Sequence, residues 1–319
     1  MPTICGLSRA RRAGGSGTPA IVARVRCLLV LWDIDFTLID AGGVGTRLYR
    51  TVFRDMFGTE LPGAADMAGR TDRAIVLDTL ARAGIPEPRQ HLDQFLARLA
   101  ALAPAARELA ERRSRALPGA AAALAALAAF GPGRDGASSP DGAPSPDGAP
   151  SPAGAGSPGG TGSPGGASSP GGARSPGGAR FPGGTAEGAR NVCVVQSVLT
   201  GNVRPMAEMK LAALGLDDHL DLEAGAYGDS HEVRAELVHV ARGNAARRYG
   251  TDFAGAATVL VGDTPLDVAA ALETGARAVA VATGGTTAAR LAESGAHAVL
   301  PDLADTPAVL AAILAGPYP

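Results

Sequence analysis

The chain has 319 residues, and its 29 Lys and Arg against 31 Asp and Glu give a formal charge of −2. A length of this size predicts about two domains, and so even a charge, with no long basic block, excludes nucleic-acid binding driven by clustered cations. The three cysteines, Cys5, Cys27 and Cys193, make no CxxC or Cys/His spacing, which argues against a disulfide framework or a zinc site and for a reduced, cytoplasmic setting.

Residues 1–24 carry Arg9, Arg11 and Arg12 with no apolar stretch behind them, so they read as a flexible tail and not as a secretion signal. The mostly apolar run Val25–Trp32 ends at carboxylates and predicts a buried parallel strand. It is too short to cross a bilayer, and no membrane partner is expected. Helical spacing marks 44–57, 71–83, 89–102 and 104–116, with Gly58, Gly84-Ile85-Pro86 and Pro104 as breaks. These segments predict a small all-helical cap over 41–116. A helix over 120–129 follows.

Residues 139–186 then run in eight six-residue units such as SPDGAP and SPGGAR, holding 15 Gly and 10 Pro in 48 positions. Glycine does not recur at every third position, which excludes a collagen helix. With almost no apolar side chains to bury, residues 131–189 read as a disordered insert. Beyond it, strands at 191–199, 221–226, 258–261, 277–281 and 297–300 alternate with helices at 203–214, 232–249, 265–274, 286–294 and 306–315. The pattern predicts an α/β core over 25–40 and 117–319, a doubly wound parallel sheet with the cap inserted after its first strand. The insert falls in a helix-to-strand connection, at the edge of the sheet opposite the one where ligands bind.

Three strand ends carry chemistry. Asp33 and Asp35, two apart on an extended segment, point the same way. Such a pair can divide nucleophile and acid/base roles or share a cation, and it equally fits an Asp-rich turn. Thr200-Gly201-Asn202 puts a hydroxyl and backbone amides at a helix start, which suits a phosphate or a simple cap. Asp263, with Asp267 one helical turn on, adds carboxylates from a neighbouring strand. Acids gathered with little basic counter-charge repel, and a hard divalent cation, magnesium, resolves that while bridging a phosphate.

These three motifs, DIDFTL at 33–38, TGN at 200–202 and GDTPLD at 262–267, resemble the haloacid dehalogenase-like (HAD) hydrolase superfamily, in the branch similar to phosphoglycolate phosphatases. GRTD at 69–72 resembles a cap signature of that branch, and 284–305 its C-terminal segment. The resemblance covers about 25–130 and 190–315 and implies a HAD-type Rossmannoid core. By its motifs, Asp33 is the nucleophile that forms an aspartyl-phosphate. Asp35 protonates the leaving oxygen and then activates water. Thr200, with Gly201 and Asn202, holds the phosphoryl group. Asp33, Asp263 and Asp35 through its carbonyl bind magnesium, and Asp267 supports them. Two departures stand out. Phe36 occupies a position that is often Gly, and the usual Lys before a Pro is missing. Lys210, the chain's one lysine, and Arg234 are the candidates for the phosphate-neutralising cation, with Lys210 slightly preferred. His231 in the core and Arg47, Arg70 and Asp72 in the cap have surface readings at least as good as a site role.

The activity implied is magnesium-dependent hydrolysis of a small phosphorylated metabolite. Asp35 argues against dehalogenation, and the absence of Lys from 41–116 argues against phosphonate hydrolysis. A phosphosugar mutase is the enzymatic alternative. A catalytically silent binding protein, with the insert as its interaction element, is the other.

Overall fold

A computed structural model describes residues 26–63, 65–132 and 192–315. The expected tail over 1–24 lies outside the described residues, and so does the expected insert from residue 133 on. The elements begin with β1 (Arg26–Trp32), β2 (Ile39–Asp40), α1 (Val44–Phe57), α2 (Asp72–Arg82), α3 (Pro88–Arg113), β3 (Arg115–Ala116) and α4 (Ala120–Ala128). They continue with β4 (Val192–Val198), α5 (Arg204–Ala212), α6 (Arg234–Tyr249), β5 (Thr258–Gly262), α7 (Pro265–Glu273), β6 (Arg277–Val281), α8 (Ala288–Glu293), β7 (Ala298–Leu300) and α9 (Thr306–Leu314).

Five strands pair in parallel in the order β4-β1-β5-β6-β7. Side chains alternate along each strand, so the near-continuous apolar runs feed two cores. Leu28, Val30 and Trp32 of β1 join α4, α5 and α9 on one face. Leu29 and Leu31 join α6, α7 and α8 on the other. This is a doubly wound α/β sheet, as the alternation of strands and helices predicts. The only indole finds its partner inside: Trp32 Nε1 donates to Gln196 Oε1 at 3.2 Å, and Gln196 Nε2 donates to the Leu124 carbonyl at 2.9 Å.

The chain leaves β1 on one side for β4 and returns on the other for β5. The carboxyl ends of β1, β4 and β5 therefore surround a topological switch point, where a crevice forms. The chain enters and leaves the helices α1–α3 through one antiparallel ribbon, with Ile39 opposite Ala116 and Asp40 opposite Arg115.

Helices α1, α2 and α3 share their own core, built on residues such as Val52, Phe53, Leu80, Phe95 and Leu99, and joined by Val203, Met206 and Met209 from around α5. Helix α5 thus serves two cores, with Ala207 and Leu211 turned to the sheet. Two expectations need correction. The segments 89–102 and 104–116 form one helix, α3, with Pro104 inside it. Proline removes one backbone bond, but the buried stripe Leu92, Phe95, Leu99, Ala103, Ala106 and Ala110 runs unbroken past it, and tertiary packing holds the turn. The strand expected over 221–226 is instead a 3-10 turn, Leu222–Ala224, started by Asp221 accepting from the Glu223 amide. Only Ala226 pairs, with Leu199. Among the described residues, no helix is long and apolar enough to cross a membrane.

Candidate active site

The three strand-end motifs, DIDFTL, TGN and GDTPLD, all reach the carboxyl edge of the sheet. Asp33 follows β1, and its amide donates to the Val261 carbonyl of β5 at 2.8 Å. Asp33 Oδ1 accepts from Arg234 at 2.7 Å. Arg234 opens α6, is buried, and also lies 2.6 Å from Asp267. The other oxygen of Asp267 accepts from the amide and hydroxyl of Thr264, closing a capping box at the start of α7. Both Asp267 oxygens are therefore engaged within the protein.

Asp35 faces a different set of partners. Lys210 Nζ reaches its two oxygens at 2.8 and 2.7 Å, and Asn202 Nδ2 donates to Oδ2 at 2.7 Å. Lys210 also donates to Asn202 Oδ1 at 2.8 Å, and Asn202 Nδ2 donates to Thr200 Oγ1 at 2.8 Å. The two cations weighed against each other in the sequence thus both arrive, and they divide the acids. Arg234 holds Asp33, whereas Lys210 holds Asp35. Lys210 reaches back past Asn202 from the last turn of α5, with its stem buried.

Asp263, at the end of β5, meets no cation. Its Oδ1 accepts a long 3.4 Å bond from Thr37, and the backbone of Gly284 packs so closely that a Cβ there would stand 1.9 Å from Oδ2. Asp33, Asp263 and Asp267 each bring an oxygen within 4.8 Å of the others, all buried. Burial pushes the Asp33 carboxyl well up, with Arg234 opposing the shift. Burial also pushes Asp263 up, and the charges of Asp33 and Asp267 push it further. Three acids and one guanidinium leave negative charge uncompensated. With Asp267 committed, Asp33 and Asp263 are the carboxylates open to a cation. Hard oxygen donors in excess of positive charge fit a divalent ion. The Asp35 carboxylate stands apart from this group, turned to Lys210.

The cavity above these residues has a volume of about 420 Å³. Helix α2 forms part of its wall and docks by backbone contact. The Asp72 amide donates to the Gly201 carbonyl at 2.7 Å, and the Arg73 amide to Gly228 at 3.2 Å. The approach is close enough that a Cβ on Gly201 would fall 1.9 Å from the Arg70 carbonyl oxygen. Asp72 is buried, accepting from Tyr49 Oη at 2.6 Å and from the Val203 amide at 2.7 Å. The long sequence distances hide this pairing, and only GRTD hinted at it. Arg70 lines the cavity, but Arg47 and His231 do not. His231 is exposed and accepts from the Val233 amide.

Phe36 is the unusual residue. Its φ is 60°, in the left-handed region, where a bulky side chain costs about 1–2 kcal/mol. The backbone is pinned there from both sides. The Phe36 amide donates to the Ile39 carbonyl at 2.7 Å, and the Thr283 hydroxyl donates to the Phe36 carbonyl. The ring remains 48% exposed at the cavity wall. This geometry gives the physical reason why glycine suits the position, and why the phenylalanine needs an explanation.

The family model described as HAD-hydrolase-like matches residues 237–306, from within α6 to the start of α9. No curated protein matches the chain in sequence. The fold is similar to that of a predicted phosphatase from Clostridium acetobutylicum, at 12% identity over 89% of this chain and 98% of that one, with a TM-score of 0.52. It is also similar to a hydrolase from Pseudomonas syringae, at 15% identity over 87% of this chain and 95% of that one, with a TM-score of 0.50. Family match and fold agree with the resemblance that the three motifs carry.

Proposed function

We propose that the protein is a magnesium-dependent phosphatase of the HAD-like superfamily that hydrolyses a small phosphorylated metabolite. One observation supports this above the rest: Asp33 and Asp35 both follow β1 at the switch point, each held by its own cation, and Asp263 near Asp33 makes no ion pair among the described residues. Arg234 fixes Asp33 Oδ1 and leaves the second oxygen to attack phosphorus. As the Asp33 oxygen–phosphorus bond forms, the bond to the leaving oxygen breaks and Asp35 gives that oxygen a proton. Asp35 then takes a proton from water, which attacks the aspartyl-phosphate and releases inorganic phosphate and free Asp33. Lys210 and Asn202 hold Asp35 in place for both transfers. Thr200 lies in the same network and offers its hydroxyl to the phosphoryl oxygens. A bound magnesium ion, with Asp33 and Asp263 as carboxylate donors, supplies charge that lets an anionic nucleophile approach an anionic ester. The docked helix α2 limits water in the crevice.

The test is phosphate release from aryl phosphates and a panel of phosphometabolites, with and without magnesium, by wild type and Asp33→Asn. Turnover should need the ion and fall by at least about 10³-fold in the variant, the scale of a lost nucleophile. A folded wild type that releases no phosphate from any ester sinks the proposal.

A further inference from the structure

We infer that the site selects phosphate monoesters whose leaving group is apolar and uncharged, with Phe36 as the specificity-determining wall. This deepens the phosphatase reading and rests on it for the identity of the anion bound at the floor.

The first observation is the charge inventory of the cavity. Among the described residues, eight charged side chains line it, five acids and three cations. Each cation already has partners. Arg234 holds Asp33 and Asp267, and Lys210 holds Asp35 and Asn202. Both stand at the floor, where one phosphate would meet them. Arg70, the cation of the α2 side, lines the cavity with its guanidinium already engaged. It pairs with Asp78 at 2.8 Å and donates to the carbonyls of Asp66 and Ala74 at 3.0 and 3.2 Å. A second anionic group on the substrate would enter an acid-rich cavity without a partner, which is strongly unfavourable.

The second observation is the rest of the wall. It includes Leu48, Met67, Ile75, Leu99 and Met206, and Tyr49, whose hydroxyl donates to Asp72. The third is Phe36 itself. Its ring stands half exposed on this wall from a left-handed backbone that glycine would hold without strain, and two hydrogen bonds keep it there. Strain persists where the surroundings over-determine it, commonly at ligand sites. An aromatic ring so placed, in a lining that also holds apolar side chains, recognises an aryl or alkyl group by burial and stacking. A carboxylate-bearing leaving group such as that of phosphoglycolate gains nothing from either feature.

Binding tests the inference without turnover. Benzylphosphonate and phosphonoacetate share a non-hydrolysable head and a methylene, and differ in carrying a phenyl ring or a carboxylate. Titration calorimetry with magnesium present should give wild-type protein at least a tenfold preference for benzylphosphonate. In Phe36→Gly the ratio should fall to about threefold or less, with a thermal midpoint no lower than that of wild type. Equal or tighter binding of phosphonoacetate overturns the inference, as does a preference that survives in Phe36→Gly or a wild type that binds neither. A clear preference for benzylphosphonate in a protein that hydrolyses no ester would sink the phosphatase reading alone. Faster turnover of phosphoglycolate than of benzyl phosphate would sink the substrate class alone.

Discussion

Asp72 carries a charge into a place that disfavours it. Burial pushes its carboxyl from 3.8 up to about 6, although Tyr49, the Val203 amide and Lys210 all pull it down. The folded protein therefore holds this proton more tightly than the unfolded chain. The stability so gained is fully present below 3.8 and is lost as the pH rises through about 6. Asp72→Asn is neutral throughout and escapes that loss. Relative to wild type, its unfolding free energy should rise by about 2–3 kcal/mol between pH 4 and pH 7, with the other acids cancelling in the difference. Urea unfolding of both proteins across this range measures it, and a flat difference would refute the assignment. At this scale the sequence was legible where chemistry follows a strand end, as for Asp33, Asp35 and Asp263. It named Asp72 but gave a surface reading equal weight, because its partners Tyr49 and Val203 lie 23 and 131 residues away. Nor did it divide Lys210 and Arg234 between two acids, since that depends on how far each side chain reaches from its helix.

The loop after β4 and the start of α2 touch through backbone, with no side chain between them. Gly201 makes that contact possible. In Gly201→Ala the new Cβ would stand 1.9 Å from the Arg70 carbonyl oxygen, so either α2 or the Thr200–Asn202 loop must shift. Overpacking of this kind costs about 1–3 kcal/mol. Asn202 donates to Thr200 within this loop and to Asp35 beyond β1, so a displacement of 1 Å there should lower kcat/KM by about 10²-fold. Thermal unfolding together with steady-state kinetics reads both. Unchanged kinetics in a destabilised variant would mean that α2 moves and the loop does not. Elements whose apolar period matched their packing were legible, including β1, α1 and the alternation from β4 onward apart from 221–226. Pro104 misled because its local rule lost to a buried stripe on both sides of it. The segment 221–226 misled because Gly225 must clear Ser197 and Val198, which leaves room for one bridge and no strand.

At the scale of the molecule, the order β4-β1-β5-β6-β7 sets where function and tolerance lie. Asp33, Asp35, Thr200, Asn202 and Asp263 follow strand ends at the carboxyl edge and Arg234 opens a helix there, whereas Lys210 reaches in from the last turn of α5. Just after α4 and within β4, the Val194 amide donates to the Phe130 carbonyl at 2.7 Å, and Val192 is in register with Arg26. The two ends of the Pro/Gly-rich segment are thus tied together by contacts the segment does not make. Its composition predicts that it buries no core. Replacing residues 134–189 with about ten Gly and Ser residues then changes only the entropy of closing a loop. Each doubling of loop length costs about 0.6 kcal/mol, so the shorter chain should be more stable by about 1–2 kcal/mol. A core of this size would gain a few degrees in Tm, with kcat/KM unchanged. A lower Tm would show that the segment packs on the core, and a lower kcat/KM at unchanged Tm that it takes part in substrate access.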